Sequence, residues 1–106
     1  ENAKNMGYRL MRGMKKIQKK YPKTLGEVRG KGLMVGLELV RDETITDRTP
    51  DLDATNKIME ETKKRGLLIG RGGLYGNCLR IAPALNISSD DIDEAIQIVA
   101  ESFGTL

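Results

Sequence analysis

The sequence contains no histidine and no tryptophan, and only one cysteine and three prolines in 106 residues. Without histidine, a Ser-His-Asp triad, a Cys-His dyad and a histidine-ligated zinc site are excluded within this chain. The lone Cys78 rules out an internal disulfide framework or a cysteine cluster, and it fits a reducing compartment. No apolar run approaches the ~18 residues that a membrane span needs, so no membrane partner is expected. Aromatic residues are only 4%, namely Tyr8, Tyr21, Tyr75 and Phe103, and they are scattered. That disfavours an RNA-binding sheet, which stacks bases on clustered aromatics. The charge excess is small as well: 18 Lys and Arg against 15 Asp and Glu leave +3, too mild to mark a nucleic-acid binder. The opening Glu-Asn-Ala-Lys is not a signal peptide and carries no initiating Met, so the chain is expected to begin inside a longer polypeptide.

What is present is patterned strongly enough to fold. At 11.8 kDa the chain is sized for one small domain with a modest core. Met6, Leu10, Met14 and Ile17 recur at helical spacing and predict a helix over residues 2–20, closed by Pro22. Gly7 and Gly13 weaken that helix and are expected to mark close approach to a neighbour, so it is the element expected to depend most on a packing partner. Lys15, Lys16, Lys19 and Lys20 read as a solvated helix end that suits the macrodipole. Leu33, Val35, Leu37 and Leu39 alternate with mixed residues and predict a strand, preceded by a shorter one near Val28 and a bend at Gly30-Lys31-Gly32. Residues 41–50 form a polar connector. Thr49 then caps a second helix with Pro50 in its first turn, an inner face of Ile58, Met59 and Thr62, and Gly66 as terminator. Glu60 with Lys64, and Glu61 with Arg65, are spaced to pair on it. Leu67-Leu68-Ile69 and Cys78–Ala82 predict two further strands around a glycine-rich loop over residues 71–77. Ser88 and Asp91 open a last helix whose Ile92, Ala95, Ile96, Val99 and Phe103 share one face. Strands interleaved with helices predict an α/β domain, a small and mostly antiparallel sheet with helices packed on one face.

Chemistry has few places to sit. Gly72-Gly73-x-x-Gly76 follows a strand, but no helix N-terminus comes after it to hold a phosphate, so a flexible turn is favoured over a cradle. Cys78 has no histidine to act as its base and reads as an inert thiol. Glu27, Glu38 and Glu43 show no paired-carboxylate spacing, and no metal site is expected. Arg80 stands mid-strand between Leu79 and Ile81. A rigid, planar guanidinium there is suited to grip a carboxylate in two-pronged fashion. Spacing alone equally allows a solvated arginine or one paired with a structural glutamate.

Taken in order, Val28-Arg29-Gly30-Lys31-Gly32-Leu33-Met34-Val35-Gly36-Leu37-Glu38, Gly66-Leu67-Leu68 and Leu79-Arg80-Ile81-Ala82-Pro83 resemble the C-terminal domain of class III aminotransferases. These are pyridoxal 5'-phosphate enzymes of fold type I. Gly66 to Gly73 together with Arg80 to Pro83 is most similar to the mitochondrial alanine–glyoxylate aminotransferase 2 branch. The resemblance extends over the whole chain, including the start of the last helix. It implies a single small domain over 1–106, with a leading helix at 1–20 and a sheet-and-helix body at 26–106. The large domain, which carries the Schiff-base lysine, the acid that pairs with the pyridine nitrogen and the phosphate-holding groups, would precede it. It implies a transaminase moving an amino group from an amino acid or amine such as alanine to a 2-oxo acid such as glyoxylate or pyruvate, active only as the complete homodimeric enzyme. The family's substrate-carboxylate arginine matches Arg80, while Arg29, Gly30, Gly32 and Gly36 match positions that set shape. Many members have Pro-Pro where this chain has Pro83-Ala84, so the following turn departs from the pattern. That branch would place the enzyme in mitochondria, other branches in the cytoplasm. The rival expectation is a non-catalytic α/β module that binds a small molecule, and a weaker one is an interaction domain using the basic end of the first helix.

Overall fold

The computed structural model describes residues 2–31, 33–41, 49–67, 69–72, 76–83 and 87–106. The order is helix α1 (Asn2–Lys20), strands β1 (Leu25–Lys31), β2 (Met34–Arg41) and β3 (Thr49–Pro50), helix α2 (Leu52–Lys64), strands β4 (Gly70–Gly72) and β5 (Cys78–Ile81), and helix α3 (Ser89–Phe103). The main sheet runs β1-β2-β5-β4, antiparallel throughout, with the two-residue β3 paired to the far end of β2. Helix α1 packs on β1 and β2, α2 packs on β2 and β5, and α3 packs against both helices. The expected sheet with helices on one face is therefore present.

Alternation decides which face the helices cover. Val35, Leu37 and Leu39 of β2 and Leu79 and Ile81 of β5 are buried, while the residues between them point the other way. A register shift at Gly26 brings Leu25 opposite Leu39 and Val28 opposite Leu37, so β1 adds its apolar residues to the same side. From the helices come Leu10, Met14, Ile58, Ile92, Val99 and Phe103, all fully buried. The Tyr21 ring lies 5.6 Å from that of Phe103 and closes the core where α1 ends.

The stripe on α1 thus finds its partner inside this chain. Leu10 and Met14 have no exposed surface, so the packing partner that α1 was expected to need is supplied by β1, β2 and α3. Gly13 explains how α1 and α3 come so close: a Cβ there would sit 2.5–2.9 Å from three side-chain atoms of Ile96. The capping expected of α3 is present, with the Ser88 hydroxyl accepting from the Asp91 amide at 3.2 Å. Gly66 ends α2 with φ +89, a conformation that favours glycine.

Three expectations are corrected. Thr49 does not cap α2: Thr49 and Pro50 pair with Arg41 and Val40 as β3, and Asp51 is the cap, its carboxylate accepting from the Ala54 amide at 2.9 Å. A carboxylate one residue from the helix meets the free amides more directly than a hydroxyl beyond a proline. Leu67 and Ile69 are not in a strand. Leu67 is still tied to α2 through its amide to the Thr62 carbonyl, and the strand runs from Gly70 to Gly72, into the stretch expected to be loop. Glu60 and Lys64 do not pair. Lys64 turns instead to Glu61, which also holds Lys57 and Arg65. The expectations placed on Gly32, Glu43, Leu68, Gly73, Leu74, Tyr75 and Ala84 lie outside the described residues.

Candidate functional site

The face of the sheet turned away from the helices carries the candidate site. Its residues follow from the pairing register. Arg29, Gly36, Arg80 and Gly70 stand side by side across β1, β2, β5 and β4. Glu27, Glu38, Cys78 and Gly72 form the neighbouring row. Cross-strand partners project on the same face, so the two arginines share a surface floored largely by glycine.

The two arginines differ in what surrounds them. Arg29 is engaged: its guanidinium lies 3.6 Å from Glu27, 3.7 Å from Glu38 and 3.6 Å from the Cys78 sulfur. It offsets two acids that face one another across β1 and β2, which accounts for an arginine at a position expected to set shape only. Arg80 is exposed, and among the described residues no carboxylate, carbonyl or hydroxyl accepts from it. Its guanidinium bends over β4 and lies against Gly72. Of the alternatives that spacing left open, an ion pair with a structural glutamate is not made within the described residues. Gly36 keeps the surface between the arginines low, and Gly30 faces the helix layer, where a Cβ would run into the end of Met11.

Register made this site, and sequence could not supply it. That Gly70 and Gly72 flank Arg80 on an edge strand was hidden by the expectation of a strand ending at Ile69 and a loop from Arg71 onward. Asn77 was also overlooked. It is buried, its side-chain amide donates to the Leu39 carbonyl at 2.9 Å, and its own carbonyl accepts from the Leu39 amide. It thereby fixes the entry to β5 directly before Cys78, the first residue of the face that also bears Arg80. Its signal was a polar residue directly before an apolar strand.

Elsewhere, charge serves the scaffold. Glu61 is almost buried and gathers Arg65 at 2.7 Å, Lys57 at 3.2 Å and Lys64 at 3.3 Å. Hydrogen bonds from Arg65, then Lys57 and Lys64, push its carboxyl down to about 2. Arg65 also reaches Glu101 of α3 at 3.4 Å, tying the two helices. Arg9 forks onto Asp93 with two 2.7 Å bonds between α1 and α3, and this contact holds the Asp93 carboxyl below its usual range. The groove of about 670 Å³ between α1 and α3 is lined by Arg12, Lys16, Lys20, Tyr21 and Gln97. It opens on the helix side, away from Arg80, and gathers cations without a buried polar group to orient a ligand.

Among the described residues there is no cluster of three or more potential metal ligands. The nine described lysine side chains are all exposed, so none has the desolvated setting that turns a lysine into a carbonyl-reactive amine. These residues do not by themselves fit a pyridoxal cofactor.

Comparison with known proteins places the domain. The family model for aminotransferase class-III matches residues 1–103. An Arabidopsis thaliana protein named alanine–glyoxylate aminotransferase 2 homolog 2, mitochondrial, is 38% identical over 106 residues, spanning 100% of this chain and 22% of that protein. The crystal structure of a Bacillus anthracis aminotransferase superposes with a TM-score of 0.89 at 35% identity, over 100% of this chain and 24% of the other. An amine transaminase from an uncultivated Pseudomonas species, solved in its PLP-bound form, superposes at 0.82 with 27% identity, over 98% of this chain and 23% of the other. This chain therefore spans about a quarter or less of the length of the relatives it matches. With a match of that extent, and a fold shared with solved aminotransferases, the chain belongs to the aminotransferase class-III family.

Proposed function

We propose that this chain is the C-terminal small domain of a PLP-dependent transaminase and that it contributes the substrate-carboxylate contact through Arg80. The observation that carries the proposal is the contrast on the open sheet face. Arg29 is satisfied by Glu27, Glu38 and Cys78, whereas Arg80 has no acceptor among the described residues. A guanidinium on a rigid strand, without a partner of its own and facing away from the core, is suited to take a carboxylate on two parallel N–H donors.

On this reading the cofactor, the lysine that binds it and the residues around its phosphate belong to a larger domain outside this chain. Bound there, the cofactor supplies the electron sink for amino transfer. This chain supplies position: Arg80 fixes the carboxylate end of an amino acid or 2-oxo acid, so that the reacting carbon meets the catalytic groups in a fixed orientation. The Arabidopsis relative's name supports alanine and glyoxylate as the pair, and a mitochondrial setting. A homodimeric complete enzyme goes with the same reading.

The test compares two polypeptides, the 106 residues alone and the longer protein that contains them. The longer protein should form pyruvate from alanine and glyoxylate with added PLP. The 106 residues should neither do so nor yield a stoichiometric lysine adduct when PLP is trapped with borohydride. Turnover, or such an adduct on one lysine, by the short chain would refute the division of labour.

A further inference from the structure

Glycine inside a strand costs stability, so each one asks for a reason. Gly70 and Gly72 make up two of the three residues of β4, and neither has a positive φ. The backbone would accept a side chain at both. At Gly70, directly opposite Arg80, an added Cβ would meet nothing within 4 Å. At Gly72, diagonal to it, the same Cβ would lie 3.0 Å from one terminal nitrogen of Arg80, 3.1 Å from its central carbon and 3.2 Å from Nε. Three atoms of the guanidinium plane thus occupy the volume that a side chain at 72 would take.

We propose that Gly72 is a positioning residue, a slot that seats the Arg80 guanidinium over β4 and thereby sets how strongly the site selects carboxylated substrates. The inference rests on the carboxylate role given to Arg80 and deepens it. With no acid to hold the guanidinium among the described residues, its direction is governed by shape. On one side the Arg29 cluster places a like charge beyond Gly36, and on the other Gly72 leaves space. Alanine at 72 requires the guanidinium to give by a few tenths of an ångström. Valine fills the slot and sends the side chain elsewhere. Chemistry on the amino group is untouched, since Gly72 offers it no functional group.

The experiment uses the complete enzyme with Gly72→Ala and Gly72→Val. Single-turnover rates of the donor half-reaction are measured with alanine and with ethylamine, its counterpart lacking the carboxylate. A melting curve accompanies each variant, and Arg80→Lys is run in parallel. Gly72→Val should lower the alanine efficiency by about ten- to a hundredfold, the scale of a misplaced binding group. Gly72→Ala should fall between it and the wild type, and ethylamine should react as before in both. In an Arg80→Ala background, Gly72→Val should have no further effect on alanine, because the group it displaces is gone. Equal losses for both amines, or an undiminished effect of Gly72→Val without Arg80, would overturn the slot while leaving the role of Arg80 standing. If Arg80→Lys itself fails to discriminate between the amines, the carboxylate role falls and the slot with it.

Discussion

Gly13→Ala sets two effects of opposite sign against each other, and the structure decides between them. In a helix interior, alanine is favoured over glycine by about 1 kcal/mol. Gly13 lies near the middle of α1, so propensity alone predicts a more stable protein. Its Cβ, however, would stand 2.5 Å from Cδ1, 2.7 Å from Cγ1 and 2.9 Å from Cγ2 of Ile96. Both branches at the Ile96 β-carbon are in the way, and a β-branched side chain in a helix holds one χ1 rotamer strongly, so rotation does not relieve both. The helices must separate slightly, and overpacking of this kind costs roughly 1–3 kcal/mol. The larger cost wins, and Gly13→Ala should destabilise by up to about 2 kcal/mol. Removing the obstacle reverses the sign: in an Ile96→Ala background, Gly13→Ala should stabilise by about 1 kcal/mol. Urea denaturation of the four proteins of this cycle measures both values. A Gly13→Ala variant more stable than the wild type with Ile96 in place would refute the close approach of α1 and α3.

Two further predictions concern the scaffold. Asp51→Ala should cost about 1 kcal/mol by removing the acceptor for the Ala54 amide, whereas Asp51→Asn should be nearly neutral, both read from denaturation midpoints. Glu61→Gln should lower stability at neutral pH, since it strips Arg65, Lys57 and Lys64 of their shared anion. The Glu61 carboxyl is held down at about 2 in the folded protein, so its contribution is present above the unfolded carboxylate range and is lost as pH falls toward 2. The gap between wild type and Glu61→Gln should therefore narrow from about pH 4.5 downward, and a gap constant across that range would contradict the network.

Much of this fold is written in local pattern, and the exceptions have identifiable causes. Helix α3 was legible because its cap and its apolar stripe agree, and β2 because period-two alternation over Val35, Leu37 and Leu39 has no helical counterpart. Helix α2 was legible in its body but not its start, where Asp51 and Thr49 competed and only the pairing of β3 with β2 settles which is outside the helix. The strand expected over Leu67–Ile69 had the right composition. The pairing falls instead on Gly-Arg-Gly, because strand identity is conferred by the partner β5 and by the Arg71 side chain reaching Asn56 of α2 at 2.5 Å. Arg80 was visible as a candidate, since an arginine inside an apolar strand is unusual. Its isolation from acids, and the claim that it makes on the space above Gly72, depend on register between strands and on side-chain direction, which no one-dimensional pattern carries.

The central claim is that Arg80 receives a substrate carboxylate, and Arg80→Lys in the complete enzyme tests it most directly. Lysine keeps the charge and loses the fork. A charge-assisted contact of this type is worth roughly 1.5–3 kcal/mol, on the order of ten- to a hundredfold in kcat/KM. Because Arg80 makes no ion pair among the described residues, the melting temperature should stay where it is. The measurement is kcat/KM for one amino donor with a carboxylate beside the reacting carbon and one without, taken with a melting curve. The account predicts a loss confined to the carboxylated donor at unchanged stability. Equal losses for both donors together with a lowered melting temperature would make Arg80 a structural residue and contradict it.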